Sequence, residues 1–325
     1  MKRIIFFCPA NEHPTGGVKV IYQHAELLTS LGANAFVLHP DKPEFTCDWF
    51  MHNTQMLRNC DLDPLHDFII IPEIWAVTLG EMFLNAAAPR FGIFVQGGYL
   101  THPHLLEYRD LYSAVYSAAK LVLTISEDTT EIVRLNYPQI KPDRIVRVQW
   151  SIHDRFMGKT RPTGANPSGR IAYMPRKMKD HSLRVVHALL QHLPDSWTIT
   201  PIENVSEATV AAMLAESDIF LSFNELEGLP LPPMEAALAG NLVIGYTGQG
   251  AKEYWTAPNF IEVRQGDIRN FVNETLQAVQ RFDNHSFSYE DLEPGIKKLR
   301  EFYSPDAEKE KLQLALDRIN LTFSD

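Results

Sequence analysis

Short apolar runs alternate along the chain with amphipathic segments, and this alternation is its main structural signal. The first run, Arg3 to Pro9, passes through a polar turn into Val18 to Leu31, where apolar residues recur at helical spacing. Continuous apolar runs are typical of strands buried on both faces of a parallel sheet. The order strand, turn, helix, strand therefore predicts an α/β fold with parallel sheets.

The same alternation continues and predicts two sets of elements, separated by the polar, Gly/Pro/Thr-rich segment 158–169. Strands are predicted at 3–9, 35–38, 67–71, 91–96, 121–125, 170–174, 197–202, 218–223 and 242–246. Helices are predicted at 18–31, 76–87, 103–118, 181–192, 205–216, 232–239, 268–282 and 306–321. We therefore expect two Rossmann-like domains facing across a cleft, with bounds near 1–150 and 151–304.

Composition and charge narrow the classes of function. The chain has 325 residues, of which 45% are hydrophobic and 22% are charged, as in ordinary globular proteins. Its net charge of −10 argues against the broad basic surface of a nucleic-acid-binding protein. Three cysteines without C-x-x-C spacing argue against a disulfide framework or a zinc site and favour a cytoplasmic protein. No apolar stretch approaches the roughly 18 residues of a membrane span, so we expect no transmembrane segment, while peripheral membrane contact stays open.

The segment most informative about function starts at the carboxyl end of a predicted strand and runs from Ser222 to Gly240. Two carboxylates, Glu227 and Glu235, flank a loop that contains a glycine and a double proline and then enters a helix of small residues. Ligands of open α/β sheets bind at this edge, and the free amides of a helix N-terminus favour a phosphate. The combination is far more specific than two glutamates eight residues apart.

A second candidate follows the first strand of the second half, where Arg176, Lys177 and Lys179 are clustered. Arginine and lysine at a strand end supply fixed positive charge to an anionic ligand without a metal. All three residues are candidates, and Lys177 competes with Arg176 and Lys179 for that role. The structural alternative is a solvated basic turn.

Two further candidates lie in the first half. Gly16 and Gly17 precede a predicted helix, where glycines let backbone amides come close to an anion or a sugar. Gln96 ends a predicted strand, and His102 and His104 follow it closely. Each of these features is weak in isolation.

Together these segments resemble the retaining glycosyltransferases with the GT-B fold, especially glycosyltransferase family 4. The stretch from Glu227 to Glu235, EGLPLPPME, resembles the E-x7-E element that in the family commonly reads EGFGLPPLE, and it continues as AALAG, where the family has AMAAG. The segment from Tyr173 to Asp180 resembles the G-R-x-K segment, and Pro14 to Gly17 resembles P-x-x-GG. The resemblance spans nearly the whole chain, and the glutamate motif is its specific part.

The resemblance implies catalytic roles for Glu227, beside the donor sugar, and for Arg176 and Lys179, at the diphosphate. The donor-binding positions that it implies are Glu235 at the ribose, Gly16, Gly17, Lys177, Leu231 and Gln96. The sequence departs from the family at Leu229-Pro230, where Phe-Gly is frequent. It also has Gln96 where many members have histidine, so either Gln96 or His102 or His104 takes that place.

The function implied is transfer of a sugar from a nucleotide-diphosphate sugar to an acceptor hydroxyl in polysaccharide or glycolipid biosynthesis, with retention and with neither metal nor cofactor. The first domain would be the acceptor side, and helix 305–325 would cross back to it; the second would be the donor side. Asp61-Leu-Asp63 spells the D-x-D of metal-dependent enzymes of another fold, but its position does not match that fold. Ser126 is expected to cap a helix, and Glu253 to be structural.

Three alternatives stay open at this point. A nucleotide-sugar epimerase or a phosphorylase shares the fold, and a non-catalytic nucleotide-sugar-binding protein would carry the same motifs. A dehydrogenase is disfavoured because no G-x-G-x-x-G follows the first strand.

Overall fold

The computed structural model describes residues 2–59, 61–85, 87–157 and 166–324. Two compact units are formed, one by Met1–Trp150 with Pro305–Asp325 and the other by Ser151–Ser304. Most of the predicted linker, residues 158–165, lies outside the described residues. The predicted α/β fold with two parallel sheets is confirmed.

The first unit contains a seven-stranded parallel sheet with the order β3-β2-β1-β4-β5-β6-β7. Its strands are β1 (Arg3–Phe7), β2 (Ala35–Leu38), β3 (Met56–Leu57), β4 (Asp67–Pro72), β5 (Arg90–Val95), β6 (Leu121–Thr124) and β7 (Ile145–Arg147). Its first four helices are α1 (Gly16–Ser30), α2 (Ala76–Gly80), α3 (Arg109–Ala118) and α4 (Glu127–Asn136). The apolar stripe of α1 is buried as its spacing predicts, because residues three or four apart lie on one helix face.

The second unit contains a five-stranded parallel sheet with the order β12-β11-β10-β8-β9. Its strands are β8 (Arg170–Tyr173), β9 (Thr198–Pro201), β10 (Ile219–Glu227), β11 (Leu242–Gln249) and β12 (Phe260–Glu262). Its helices are α5 (Lys179–Leu189), α6 (Glu207–Ala215), α7 (Leu231–Leu238), α8 (Ile268–Asp283) and α9 (Glu293–Phe302). The last helix, α10 (Pro305–Leu321), packs on α1 in the first unit, where Gln23 donates a hydrogen bond of 2.7 Å to Glu308.

Two predicted helices are shorter than expected. Of the range 76–87, α2 covers only the beginning, and a 3-10 turn follows at Glu81–Phe83. Helix α3 begins at Arg109 rather than 103, because Leu105 is extended and a 3-10 turn at Leu106–Tyr108 precedes the helix. The short strands β3, β7 and β12 are not predicted, because two or three edge residues carry too little periodicity. Helix α9 is not predicted either, and α4 is anticipated only through its cap, Ser126.

Each sheet has one point where the strand order reverses. In the first unit the chain places β2 on one side of β1 and β4 on the other, so the reversal lies between β1 and β4. In the second unit it lies between β8 and β10. Loops leave such a pair of strands in opposite directions and open a crevice at their carboxyl ends, which is where open α/β sheets bind ligands.

Candidate active site

The glutamate motif lies at the reversal point of the second sheet. Glu227 is the last residue of β10, and α7 begins four residues later. Pro230 is the N-cap residue and has an extended conformation. Pro232 and Pro233 follow in the first turn, where the lack of an N–H group removes no hydrogen bond of the helix, because amides at these positions have no partner within it. The sequence therefore sets a strand end and a helix N-terminus side by side at the carboxyl edge.

The basic segment approaches the same point from β8. Lys177 Nζ donates a hydrogen bond to the Glu227 carboxylate, and both side chains are about one-quarter exposed, at 30% and 23%. Arg176 and Lys179 are exposed, and neither forms an ion pair within the described part of the chain. The structure thus brings Lys177, the competitor of Arg176 and Lys179, into contact with the predicted catalytic glutamate.

A buried tyrosine supports the loop between Glu227 and α7. Tyr254 is 4% exposed, and its hydroxyl donates a hydrogen bond to the Pro230 carbonyl. Burial raises the pKa of Tyr254 well above its ordinary value, and the carboxylates of Glu227, Glu253 and Glu235 raise it further. The phenol therefore stays protonated and keeps donating, and the three glutamates lie near it.

The glycine-rich segment at the end of β11 packs directly on the motif. A Cβ on Gly250 would lie 2.1 Å from the Gly228 carbonyl oxygen and 2.5 Å from that of Glu227. Gly248 has a φ of +62°, and a Cβ there would lie 2.7 Å from the Asn224 side chain. Only glycine permits this approach, so the segment holds the backbone of Glu227 in place. Beyond it, Glu253 accepts a 2.7 Å hydrogen bond from Tyr303.

The remaining donor-binding predictions of the second unit lie on α7. Leu231 is the first residue of the helix, and Glu235 occupies its second turn; both are half-buried. Half burial leaves part of each side chain accessible at the helix N-terminal end.

In the first unit, the structure joins two of the predicted residues. Gly16 and Gly17 open α1, and Gln96, which follows β5, donates from Nε2 to the Gly17 carbonyl at 3.1 Å. His102 is exposed and bonds the Pro103 carbonyl, while His104 is exposed beside the ring of Tyr108, 5.3 Å away. The two histidines are therefore not in hydrogen-bond contact with Gln96. Ser126 caps α4, as expected, by accepting the Thr129 amide at 3.1 Å.

One residue at the first reversal point was not predicted. Glu73 follows β4, is 7% exposed, and accepts a 2.7 Å hydrogen bond from the Gly97 amide. Burial raises the pKa of Glu73 from its ordinary 4.5 to about 7. The sequence signal is a carboxylate directly after a buried apolar run, a place where a ligand-facing group is expected.

The D-x-D sequence forms part of a turn. Asp61 accepts a hydrogen bond of 2.9 Å from Asn59, and Asp63 accepts from the Leu65 amide and His66. Within residues 2–59, 61–85, 87–157 and 166–324, no three His, Cys, Asp or Glu side chains are grouped to hold a metal ion. Searched over the same ranges, the helices include none with the length and apolarity that crossing a membrane requires.

Comparison with known proteins gives one curated relative and many structural neighbours. The chain is 24% identical over 294 residues to an alpha-1,6-glucosyltransferase of Actinobacillus pleuropneumoniae serotype 7, covering 86% of this chain and 84% of that protein. No protein-family model matches the sequence.

Solved structures resemble the whole chain. HepE of Anabaena in complex with UDP-glucose has a TM-score of 0.73 at 12% identity, over 98% of this chain and 100% of that one. Sucrose-phosphate synthase of Thermosynechococcus elongatus has a TM-score of 0.71 at 10% identity, with both chains fully covered. The fold is therefore that of the GT-B glycosyltransferases, and the relative and the neighbours together support the predicted enzyme class, a transferase.

Proposed function

We propose that this protein is a retaining, metal-independent glycosyltransferase that moves glucose from UDP-glucose to a hydroxyl of a glycan or glycolipid. The observation that carries the proposal is the contact between Lys177 and Glu227 at the reversal point of the second sheet, beside the N-terminus of α7. A cation, a carboxylate and the positive end of a helix dipole meet at the edge where such sheets bind nucleotides.

The chemistry requires charge stabilisation more than a nucleophile. The bond between the anomeric carbon and the diphosphate oxygen breaks, and the acceptor oxygen forms its bond on the same face while its proton passes to the departing diphosphate. Lys177, Arg176 and Lys179 would stabilise the negative charge that develops on that diphosphate. In this role Lys177 would be shared between Glu227 and the donor.

The carboxylates and the glycine turn would bind the rest of the donor. Glu227 would contact the sugar hydroxyls and Glu235 the ribose hydroxyls, each as a hydrogen-bond acceptor. Leu231 would contact the nucleotide at the start of α7. Gly16, Gly17 and Gln96 stay predictions as donor contacts.

Retention is supported by stereochemistry. UDP-glucose is an α-glycoside, and the curated relative is named as an alpha-1,6-glucosyltransferase, so an α-product from this donor would preserve the anomeric configuration. Independence from metals and cofactors is part of the proposal because the cluster at residues 176–179 carries the charge that a divalent cation would otherwise supply.

The unit formed by residues 151–304 would be the donor side, and the unit that contains residues 1–150 with 305–325 the acceptor side. We place the reaction in polysaccharide or glycolipid synthesis and in the cytoplasm. The free thiols of the buried Cys8 and Cys47 suit a reducing compartment.

The test begins with thermal shifts in UDP, GDP and ADP and their glucose derivatives, because binding to the folded state alone raises the melting point. Release of UDP from UDP-glucose is then measured with gluco-oligosaccharide acceptors, with and without EDTA, and the anomeric configuration of the product is read by NMR. An α-product formed equally well in EDTA is expected. A β-product would refute retention, loss of activity in EDTA would refute metal independence, and binding without release would identify a non-catalytic binder.

Site variants complete the test. Arg176→Ala and Glu235→Ala are each expected to lower kcat/KM by about 100-fold. The matched control is Arg170→Ala, at the opposite end of β8, where the arginine pairs with Glu216 on the surface. Equal activity in all three variants would show that the site has been misplaced.

A further inference from the structure

The reversal point of the first sheet is flanked by a glycine turn and by a buried carboxylate. The chain leaves β1 towards Gly16 and Gly17, and it leaves β4 directly at Glu73. Strands β1 and β4 are parallel neighbours, with Arg3 opposite Asp67 and Phe6 opposite Ile70, so both exits lie at the same carboxyl edge. Glu73 therefore occupies the place in this sheet where a functional side chain is expected.

The Glu73 carboxylate binds backbone amides rather than a cation. Its Oε1 accepts the Gly97 N–H at 2.7 Å, and hydrogen bonds from the backbones of Gln96 and of Glu73 itself also favour its ionised form. Among the described residues, no Lys, Arg or His forms an ion pair with it. Tyr116 of α3 interacts electrostatically with Glu73, but burial raises the pKa of Tyr116 so far that this phenol stays neutral.

The turn held by Glu73 contacts α1 in its first turn. Gln96 Nε2 donates to the Gly17 carbonyl at 3.1 Å, and a Cβ on Gly17 would lie 3.4 Å from Gln96 Oε1. A Cβ on Gly97 would lie 3.4 Å from Glu73 Oε1. A continuous path of close contacts thus runs from the end of β4, through the end of β5, to the glycine turn.

We propose that Glu73 is a positioning residue for the Gly16-Gly17 turn, acting through the Gln96-Gly97 peptide and the Gln96 side chain. The inference rests on the proposed function, because it assigns Glu73 to the donor-binding step of that reaction. In this role the Glu73 carboxylate fixes the conformation of the turn before the donor binds, which lowers the conformational entropy lost on binding.

A carboxylate suits this geometry better than an amide. An ionised carboxylate only accepts hydrogen bonds, so both of its oxygens suit backbone N–H donors, whereas glutamine keeps one accepting oxygen and replaces the other by an NH2 group. A carboxylate that is buried without a cationic partner lowers the stability of the folded protein when it is ionised. The same burial raises the pKa of Glu73 to about 7. Groups that are costly for stability and lie at a ligand-binding edge are typical of functional sites.

Kinetics of Glu73→Gln test the inference. We expect kcat/KM for UDP-glucose to fall at least about 10-fold at pH 8, mostly through a higher KM, and the acid limb of the wild-type pH profile near pH 7 to disappear. Gln96→Ala should cause a similar loss, and the double variant should lose little more than either single variant, because both act along one path. Additive losses, or a Glu73→Gln enzyme within twofold of wild type with its acid limb intact, would overturn the inference.

The control lies at the other end of the same strand. Asp67 is fully buried and pairs with Arg3 at 2.6 Å, so Asp67→Asn disturbs a buried carboxylate of β4 away from the carboxyl edge. It should lower the melting temperature and leave the KM and the pH profile unchanged; should it fail to fold, Arg3→Ala removes the same pair. If the control variant also had a raised KM, the effect of Glu73→Gln would be due to general destabilisation, and the inference would be overturned.

A readout independent of activity separates this inference from the proposed function. Hydrogen exchange of the Val20 and Ile21 amides, which bond the Gly16 and Gly17 carbonyls in the helix, should be faster in Glu73→Gln than in wild type. If the wild type transfers no sugar but exchange is faster in the variant, the proposed function fails and the positioning role stands. Unchanged exchange overturns the positioning role whatever the activity.

Discussion

Lys177 Nζ donates a hydrogen bond to the Glu227 carboxylate, joining the turn after β8 to the last residue of β10. The two residues are fifty positions apart in the chain. They meet because parallel strands β8 and β10 are hydrogen-bonded neighbours whose carboxyl ends point to the same edge. Because of this contact, Lys177 is the first residue of the site to substitute in an experiment.

Removing that contact is expected to affect activity more than stability. Lys177→Met and Glu227→Gln should each lower kcat by about 100-fold, because each removes a group that the proposed function assigns to the departing diphosphate or the sugar. The free energy of unfolding should change by about 1 kcal/mol or less, since partly exposed ion pairs contribute little. Urea unfolding and steady-state kinetics of the same samples measure both quantities, and an active Lys177→Met enzyme would contradict the assignment.

Gly250→Ala is expected to displace the glutamate motif. The new methyl group would lie 2.1 Å from the Gly228 carbonyl oxygen, so backbone must move, at a cost of at least about 2 kcal/mol. The control is Gly266→Ala, where φ is +87° but no atom lies within 4 Å, so only the strain of about 1 kcal/mol remains. Thermal unfolding and kcat distinguish them: only Gly250→Ala should lose activity.

Tyr254→Phe should weaken the start of α7. The change removes the donor to the buried Pro230 carbonyl, with an expected loss of about 1 to 2 kcal/mol of stability and a higher KM for the donor. Tyr173→Phe provides the comparison, because the Tyr173 hydroxyl makes no hydrogen bond within the described residues. Equal effects of the two substitutions on urea unfolding would show that the Pro230 contact is unimportant.

Glu73 should make stability depend on pH. Its pKa is raised from 4.5 to about 7 in the folded protein, so between these values the unfolded chain releases a proton that the folded protein retains. The Glu73 contribution to the free energy of unfolding is therefore full below pH 4.5 and falls by about 3 kcal/mol as pH rises to about 7.

Glu73→Gln removes that titration. Urea unfolding at pH 4.5, 6, 7 and 8 should show wild type losing stability relative to the variant as pH rises, with a constant difference above about pH 7. A difference independent of pH would mean that Glu73 titrates near its ordinary value.

Much of the fold was predictable because buried strands and amphipathic helices leave periodic signals. Strand β2 was predicted to the residue, and β4 and β11 began where expected. The predicted start of α3 was wrong because the extended Leu105 and the 3-10 turn after it lie inside a segment whose composition is helical. The edge strands β3 and β12 were missed because they are held by a neighbouring strand rather than by any pattern of their own.

The sequence by itself determined the α/β architecture and the residue types at the carboxyl edges: the two glutamates, the basic cluster and the glycine pair. These are local properties, since periodicity, loop chemistry and motif spacing are all read over a few residues. Which of these residues touch was decided only by the tertiary structure. Strand order places β8 beside β10, which brings the basic turn to Glu227, and the path of that turn makes Lys177 rather than Arg176 the partner of Glu227. The pairing of β4 with β5 likewise buries Glu73 against Gly97, a contact between strand ends that no local pattern encodes.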